Sequence, residues 1–336
     1  MRFLDALQKN PVLLAPMAGV ADAPFRALCK RFGAGATYTE MISAKGLHYD
    51  KQRNRSHRLL RPAPEEVPVV VQLFGSDPQL MAQQTRVVAE LMGESVQAID
   101  LNMGCPVAKV VGKGEGAALM REPKLAARII SAMVDVLDVC GRGDIAVTAK
   151  IRSGLTADTT NALELARALE AAGAAALAVH GRSADQYYRG HSDPSVVTSI
   201  KENLAIPVIA SGDIFTAQDV VSTLRDLGVD GVMVARGARG NPWIFREAQA
   251  LLSGKEPPLP PGIEERLALL REHAAMSVAW YEDPHLARMR KHAVWYLTGQ
   301  PAAAVFRRRL HELSTLDELD TLIAEYLDEY RTRHDN

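Results

Sequence analysis

Residues 98–106 have the sequence Ala-Ile-Asp-Leu-Asn-Met-Gly-Cys-Pro, a short apolar segment that runs into a turn fixed by Gly104 and Pro106. Seven other apolar or β-branched segments occur in the first 250 residues, and helix-like stretches separate them. The eight predicted strands are 12–15, 36–39, 69–72, 98–101, 146–149, 176–179, 208–210 and 232–234. Eight strands that alternate with helices are typical of a closed (β/α)8 TIM barrel in the α/β class.

Start and stop signals support the helices between these strands. Asp77, followed by a proline, predicts a helix over 81–91, and the capping-box pattern that starts at Thr216 predicts one over 220–227. Gly228 stands where the second of these helices needs a C-cap. The turn after the first strand lacks the G-x-G-x-x-G fingerprint of an open dinucleotide-binding sheet, so a closed barrel is favoured.

The composition is that of an ordinary globular chain. It has 336 residues, 39 Lys+Arg, 40 Asp+Glu and 47% hydrophobic residues, and its formal net charge of −1 gives no overall sign of a nucleic-acid partner. No apolar run approaches the roughly 18–20 residues that span a bilayer, and the first ten residues lack an apolar signal core. We therefore expect neither membrane insertion nor secretion. Three widely spaced cysteines suit free thiols in a reducing cytoplasm.

The composition changes near residue 254. Residues 256–262, Glu-Pro-Pro-Leu-Pro-Pro-Gly, form a stiff connector that cannot continue a helix. Beyond it, apolar residues recur at helical spacing over 263–278 and again over 319–330. We therefore divide the chain into a barrel domain (1–250), a Pro-rich linker (251–262) and a small all-helical domain (263–336).

Polar residues follow seven of the eight predicted strands. Active sites of barrels form at the C-terminal ends of the strands, where the βα loops surround the mouth, so these residues indicate a binding site rather than a core. The residues at these positions are Pro16, Met17, Ala18, Glu40, Gln72, Asn102, Lys150, His180, Ser211, Gly212, Asp213, Ala235 and Arg236.

The loops after the seventh and eighth strands are rich in glycine. In barrels these loops commonly form a phosphate site from backbone N–H groups, and Arg236 could add a bidentate contact. Gln72 offers a donor and an acceptor on a flat amide, which suits a pyrimidine-like edge. Lys150 is either a Schiff-base lysine or a cation beside an electron-rich ring. Together these features favour flavin mononucleotide (FMN) over a sugar phosphate.

Cys105 lies three residues past Asn102, in the turn that holds it over the mouth. At this position it is a candidate proton donor or nucleophile. Cys29 and Cys140 are expected to act as small buried apolar residues. No Cys/His spacing resembles a zinc site, so no metal is expected.

Five segments resemble those of tRNA-dihydrouridine synthases, and most closely the bacterial B-type subgroup. They are 14–20 (LAPMAGV), 100–106 (DLNMGCP), 150–154 (KIRSG), 179–182 (VHGR) and 241–245 (NPWIF). The resemblance implies an FMN-dependent, NADPH-driven reduction of the C5–C6 double bond of uridines in the tRNA D loop. It also implies that the helical domain binds tRNA, whereas no stable protein partner is evident.

The resemblance further implies roles for individual residues. Cys105 would be the general acid. The cofactor contacts would be Pro16, Met17, Ala18, Gln72, Lys150, His180, Ser211, Gly212, Asp213, Ala235 and Arg236. The substrate contacts would be Asn102, Arg152, Arg182, Lys109, Arg288 and Lys291.

Basic residues in the tail support an RNA surface. Arg288, Lys291, His292 and Trp295 fall at i, i+3, i+4 and i+7, which predicts a basic helix face with an aromatic end. The other basic clusters are Arg307, Arg308 and Arg309 in the tail and Lys109, Lys113 and Arg121 after the cysteine loop. On a tRNA-modifying barrel we expect such clusters to contact phosphates.

Three other functions stay open at this point. The first is an FMN-dependent barrel oxidoreductase of a free pyrimidine, like dihydroorotate dehydrogenases, which the basic tail disfavours. The second is a lysine-dependent aldolase that uses Lys150. The third is a purely RNA-binding protein, which the polar ring at the barrel mouth disfavours.

Overall fold

The computed structural model describes residues 1–300, 303–310 and 312–334. Its strands are β1 Val12–Leu14, β2 Ile42–Ser43, β3 Val69–Phe74, β4 Val96–Asn102, β5 Ala146–Arg152, β6 Ala176–His180, β7 Val208–Ser211 and β8 Gly231–Val234. The neighbouring strands are parallel and follow the order β1-β8-β7-β6-β5-β4-β3-β2. Parallel bridges from Leu14 to Thr37 and from Tyr38 to Val70 close the ring. The prediction of a (β/α)8 barrel is confirmed.

The second strand of the barrel is interrupted. Over the predicted segment 36–39 the structure has single bridges, although Leu14 N donates to Ala36 O and Thr39 N donates to Val70 O, both at 2.9 Å. Continuous pairing with β3 resumes only in β2. The chain therefore pairs where the sequence predicts a strand, but the regular ladder lies a few residues later.

The helices surround the barrel and continue into the tail. They are α1 Arg2–Lys9, α2 Ala23–Arg31, α3 Ala44–Tyr49, α4 Ser56–Leu60, α5 Pro78–Met92, α6 Ala108–Val111, α7 Pro123–Val139, α8 Ala162–Ala171, α9 Pro194–Asn203, α10 Ala217–Leu227, α11 Trp243–Leu252, α12 Ile263–Tyr281, α13 Arg290–Tyr296, α14 Ala303–Leu310 and α15 Leu316–His334. Among the helices described here, none is long and apolar enough to cross a membrane.

The predicted helix signals are present in the structure. The side chain of Asp77 accepts from Leu80 N at 3.0 Å at the start of α5. Thr216 and Asp219 form the expected capping box of α10. That helix ends at Gly228, which adopts the left-handed conformation with φ 60°. Both helices begin a few residues before their predicted starts, because the caps precede the apolar pattern.

The tail packs on the barrel rather than standing apart from it. Helix α11 ends at Leu252, two residues into the predicted linker, and 253–262 contains neither helix nor strand. A second apolar core, formed by the tail helices, includes Leu28 of α2 and Trp243 of α11. Trp243 Nε1 also donates to Glu265 Oε1 at 2.6 Å. The division of the chain into functional domains stays a prediction.

A buried ion pair ties α2 to the segment that leads into β3. Arg26 donates from Nε and Nη2 to the two carboxylate oxygens of Glu66, at 2.5 and 2.8 Å, and both side chains are buried. Glu66 Oε1 also accepts from Ala63 N at 2.7 Å, and Arg26 Nη1 donates to Ala21 O at 2.8 Å. Each charge therefore has several partners, as a buried ion pair requires.

We predict that Glu66→Leu lowers the free energy of unfolding by about 3–5 kcal/mol, because it leaves the guanidinium of Arg26 buried without a counter-charge. The double variant Arg26→Met/Glu66→Leu should recover most of this loss, since no buried charge remains. Urea unfolding followed by circular dichroism measures both. A double variant as unstable as the single one would contradict the explanation.

Candidate active site

The C-terminal ends of the strands surround a cavity of about 280 Å³, close to the lower end of the range for small-ligand sites, about 300 Å³. Cys105 and Arg152 line it. The other predicted mouth residues that line it are Pro16, Met17, Ala18, Gln72, Asn102, Lys150, His180, Ser211, Gly212, Asp213, Ala235 and Arg236. Glu40 instead lines a second cavity. The barrel topology therefore brings together nearly all of the residues predicted at the strand ends.

The loop that carries Cys105 is held through its backbone. Asn102 Oδ1 accepts from the N–H groups of Gly104 and Cys105 at 3.2 and 3.0 Å. Arg152 Nε donates to Gly104 O at 2.8 Å, and Ala117 N donates to Cys105 O at 3.0 Å. These contacts fix the position of the thiol at the cavity wall.

The thiol of Cys105 is suited to hold a proton. The residue is half-buried, and burial raises the pKa of its thiol above the ordinary value of 9.0. The backbone N–H of Val107 and the charge of Arg152 oppose this rise in pKa. A thiol with a raised pKa is protonated at neutral pH, which favours a proton donor over a thiolate nucleophile.

A chain of buried hydrogen bonds connects this loop with the interior of the barrel. Asn102 Nδ2 donates to Gln72 Oε1 at 2.8 Å, and Gln72 Nε2 donates to Asp100 Oδ2 at 2.8 Å. Thr148 Oγ1 donates to Asp100 Oδ1 at 2.6 Å. All four side chains are buried. Most of the hydrogen-bonding capacity of the two amides is thus used within the protein, and Gln72 keeps one N–H for a ligand.

Asp100 is a residue of the site to which the sequence patterns assigned no role. Burial raises the pKa of its carboxyl from 3.8 to about 6, and the hydrogen bonds from Thr148 and Gln72 and the charge of Lys150 oppose this. A buried carboxylate needs such partners because its desolvation is costly. The sequence did contain a signal for this role, because Asp100 is an acidic residue inside an otherwise apolar predicted strand.

Lys150 is half-buried and His180 is buried, and both side chains line the cavity. Burial, and after it the charge of Arg152, lower the pKa of Lys150 to about 8, so it is largely cationic at neutral pH. Burial, followed by the charges of Lys150 and Arg152, lowers the pKa of His180 to about 2. His180 is therefore neutral. Its Nε2 lies 3.3 Å from Arg182 Nη1, which can only donate, so this geometry assigns the ring proton to Nδ1.

Asp213 connects the two loops that were predicted to bind phosphate. Its Oδ1 accepts from Arg236 Nη2 at 3.0 Å, and its Oδ2 accepts from Ser192 N at 2.8 Å. The guanidinium carbon of Arg236 lies 4.6 and 5.1 Å from the ring centres of Tyr188 and Phe215. Arg236 is thereby held at the cavity wall with N–H groups left for an anion.

Two arginines that were expected to contact substrate instead hold loops. Arg182 is 1% exposed, does not line the cavity, and donates to Asp213 and to two backbone carbonyls of its own loop. Its placement leaves no surface for a substrate, which corrects the expectation for this residue. Arg152 does line the cavity, but it donates to three carbonyls in the loops after β4 and β6.

The predicted basic face in the tail is also corrected. Arg288 and Lys291 are exposed, but Arg288 lies in a 3-10 turn before α13 and His292 is only 2% exposed. The ring of His292 packs 5.3 Å from Phe25 and 4.7 Å from His273, measured between ring centres. Burial lowers the pKa of His292 well below its ordinary value. His292 is therefore a neutral residue between barrel and tail rather than part of a cationic face.

The remaining basic residues have different surroundings. Lys109, Lys113, Arg121, Arg308 and Arg309 are exposed. Arg309 forms an ion pair with Glu325, and the side chain of Arg307 lies outside the described residues. Lys291 Nζ lies 3.1 Å from the point where a Cβ would stand on Gly19, so the tail reaches the loop after β1.

The fold and the site define a (β/α)8-barrel protein with a ligand cavity at the C-terminal ends of the strands, lined by a protonated thiol and cationic groups. The chain belongs to the dihydrouridine synthase (Dus) family, whose model matches residues 13–331.

Curated relatives agree over nearly the whole chain. A tRNA-dihydrouridine synthase B from Xanthomonas campestris is 42% identical over 319 residues, which cover 94% of this chain and 92% of that protein. The protein of the same name from Pseudomonas putida is 40% identical over 306 residues, 91% of this chain and 88% of that one. Histamine dehydrogenase from Rhizobium sp. 4-9 matches 82% of this chain and 51% of its own, with a TM-score of 0.52 and 12% identity, and supports the fold alone.

We predict that the chain purifies with bound flavin and that Gly212→Ala lowers this flavin content at least about tenfold. Gly212 has φ +113°, and a Cβ there would stand 2.6 Å from His180 Cδ2 and 2.7 Å from Ser192 Oγ, so the predicted phosphate loop would have to move. The absorbance spectrum of the purified protein measures the flavin content. Gly228→Ala is the matched control, because it strains a glycine with φ +60° that has open space around it. Equal flavin content in the two variants would contradict the prediction.

We predict that Asp100→Asn removes a pH dependence of stability. The pKa of Asp100 is higher in the folded than in the unfolded state. Its contribution to the free energy of unfolding is therefore fully present below pH 3.8 and is lost as the pH rises through about 6. The variant keeps both hydrogen bonds if its amide N–H donates to Thr148. From about pH 4 to pH 8, wild type should lose about 2–3 kcal/mol of unfolding free energy relative to the variant. Urea unfolding over this range measures the difference, and a constant difference would rule out Asp100 as the source.

Proposed function

We propose that this chain is a tRNA-dihydrouridine synthase that reduces the C5–C6 double bond of uridines in tRNA, with FMN as its flavin and NADPH as reductant. Membership of the Dus family supports the reaction class. The observation that carries the assignment is Cys105, a thiol kept protonated and fixed at the wall of a cavity that is also lined by the two loops predicted to bind phosphate. No described feature favours an aldolase that uses Lys150 or a purely RNA-binding role.

The residues of the cavity fit a flavin mononucleotide. Gly212 leaves its backbone open where a Cβ would collide with His180, and Arg236 has N–H groups left for a phosphate. Gln72 retains one amide N–H for a pyrimidine-like edge. The proposed cofactor contacts are Pro16, Met17, Ala18, Gln72, Lys150, His180, Ser211, Gly212, Asp213, Ala235 and Arg236. Reduced FMN, when bound, would supply the hydride for C6 of the uracil.

Cys105 completes the reduction in this proposal. Hydride addition at C6 leaves negative charge on C5 and O4 of the uracil, and the Sγ–H of Cys105 donates its proton to C5. Asn102 Oδ1 accepts from the loop backbone and Arg152 Nε donates to it, and these hydrogen bonds keep Sγ in place for proton transfer. Lys150, which lines the same cavity, would contribute a positive charge to it.

The substrate must present one base to a cavity at the barrel mouth. A uridine in a stacked helix cannot reach it, so the target has to flip out or belong to an unstacked loop such as the D loop. The exposed Lys109, Arg288 and Lys291 are the proposed phosphate contacts, with residues 263–336 as the tRNA-binding domain. With tRNA as substrate and three free thiols, we propose the cytoplasm as the location.

We predict that Cys105→Ala lowers tRNA reduction at least about 10²-fold, the usual effect of losing a general acid, while flavin binding and the reduction of the flavin by NADPH remain. Dihydrouridine formed in an unmodified tRNA transcript, quantified by mass spectrometry, measures the loss. Cys140→Ala is the control, because this other free thiol follows α7 and does not line the cavity. Activity of the Cys105 variant within a few-fold of wild type would reject the proton-donor role.

A further inference from the structure

A second cavity, of about 340 Å³, lies where the tail meets the first βα units of the barrel. Its lining includes Arg55, Arg58 and Arg61, which lie in and next to α4, and Arg288 from the tail. Trp280 and Tyr281, at the end of α12, complete the side contributed by the tail. A fifth arginine of the lining, Arg26, is buried and paired with Glu66, so four exposed guanidinium groups from two distant parts of the chain face this cavity.

Aromatic rings hold three of these arginines. The guanidinium carbons of Arg58 and Arg288 lie 4.6 and 4.3 Å from the ring centre of Tyr281, and that of Arg61 lies 4.5 Å from Trp280. Stacking on a ring fixes a guanidinium but leaves its N–H groups free. Within the described part of the chain, no ion pair or side-chain hydrogen bond occupies the four guanidinium groups.

The carboxylates of the same cavity are engaged elsewhere. Asp22 accepts from Phe25 N and from the hydroxyl of Tyr281, both at 3.2 Å, and burial raises its pKa to about 6. Glu40 accepts from the backbone N–H of Gly19. Neither carboxylate pairs with the four exposed arginines, so the cavity keeps an excess of positive charge.

The second cavity lies next to the loop after β1, which also contributes to the active site. Ala18 lines the active-site cavity, and the next residue, Gly19, donates to Glu40, which lines the second cavity. The loop after β1 therefore lies between the two cavities.

We propose that the second cavity binds consecutive phosphates of the tRNA backbone and so fixes the tRNA against barrel and tail together. The inference rests on the proposed function and adds Arg55, Arg58 and Arg61 to it. Guanidinium groups match phosphate oxygens with paired N–H donors, and those already stacked lose less freedom on binding. A single phosphate monoester, such as that of NADPH, would use one or two of the four groups, whereas a run of phosphodiesters uses them all.

The double variant Arg58→Gln/Arg61→Gln tests this inference by filter binding of tRNA over a range of salt concentrations. The Kd should rise at least about tenfold, and the slope of log K against log salt should become shallower by about 1–2, since each lost phosphate contact removes roughly 0.7–0.9. In steady-state kinetics the double variant should raise the KM for tRNA and leave kcat nearly unchanged. Arg58→Lys/Arg61→Lys keeps the charges and should retain most of the slope.

Arg86→Gln is the matched control, because Arg86 is an exposed arginine on α5 that pairs with Glu90. It should leave Kd and slope unchanged. If wild type fails to bind tRNA, the proposed function itself fails. If wild type binds tRNA and forms dihydrouridine while the Gln variant has the same Kd and slope, only the phosphate site is rejected. A higher KM for NADPH with unchanged tRNA affinity would reassign the cavity to the cofactor and overturn the inference.

Discussion

The hydrogen-bond chain that runs from the buried carboxylate of Asp100 through Gln72 and Asn102 to the backbone of Cys105 is the constraint on which the site depends. It connects β3 and β4, and Thr148 of β5 completes it. Desolvation of a carboxylate is costly, and the chain offsets this with donors that the barrel holds at fixed positions. The thiol is therefore positioned by the core of the barrel and not by its surface loop alone.

The arginines of the molecule also differ in whether other groups of the protein pair with them. The formal net charge of −1 conceals a separation between arginines that stabilise loops and arginines that remain free. Arg152 donates its N–H groups to backbone carbonyls, and Arg182 donates to a backbone carbonyl and to Asp213. Arg58 and Arg288 instead stack on Tyr281 and keep their donors. A chain that is neutral overall can thus present concentrated positive charge beside its active site.

Patterns that depend on backbone topology were predictable, and those that depend on side-chain surroundings were not. Because parallel strands of a barrel end on one face, Lys150 and His180 could be placed at one mouth from the order of the strands. Helical spacing put His292 on a face with Lys291, but spacing does not say which face the barrel covers, and α2 covers that of His292. Glu40 likewise ends up in the neighbouring cavity, because the second strand is interrupted before it.

The sequence by itself determined the barrel, the order of its loops and the identity of the thiol, since hydrophobic periodicity, caps and a Gly-Cys-Pro turn are local properties of the chain. Only the tertiary structure decided that Asp100 anchors the active loop and that Arg182 is buried. It also decided that arginines near α4 meet an arginine that follows them by more than two hundred residues. The physical reason is that desolvation and pairing depend on which groups become neighbours, and contacts between distant parts of the chain form only when the fold closes.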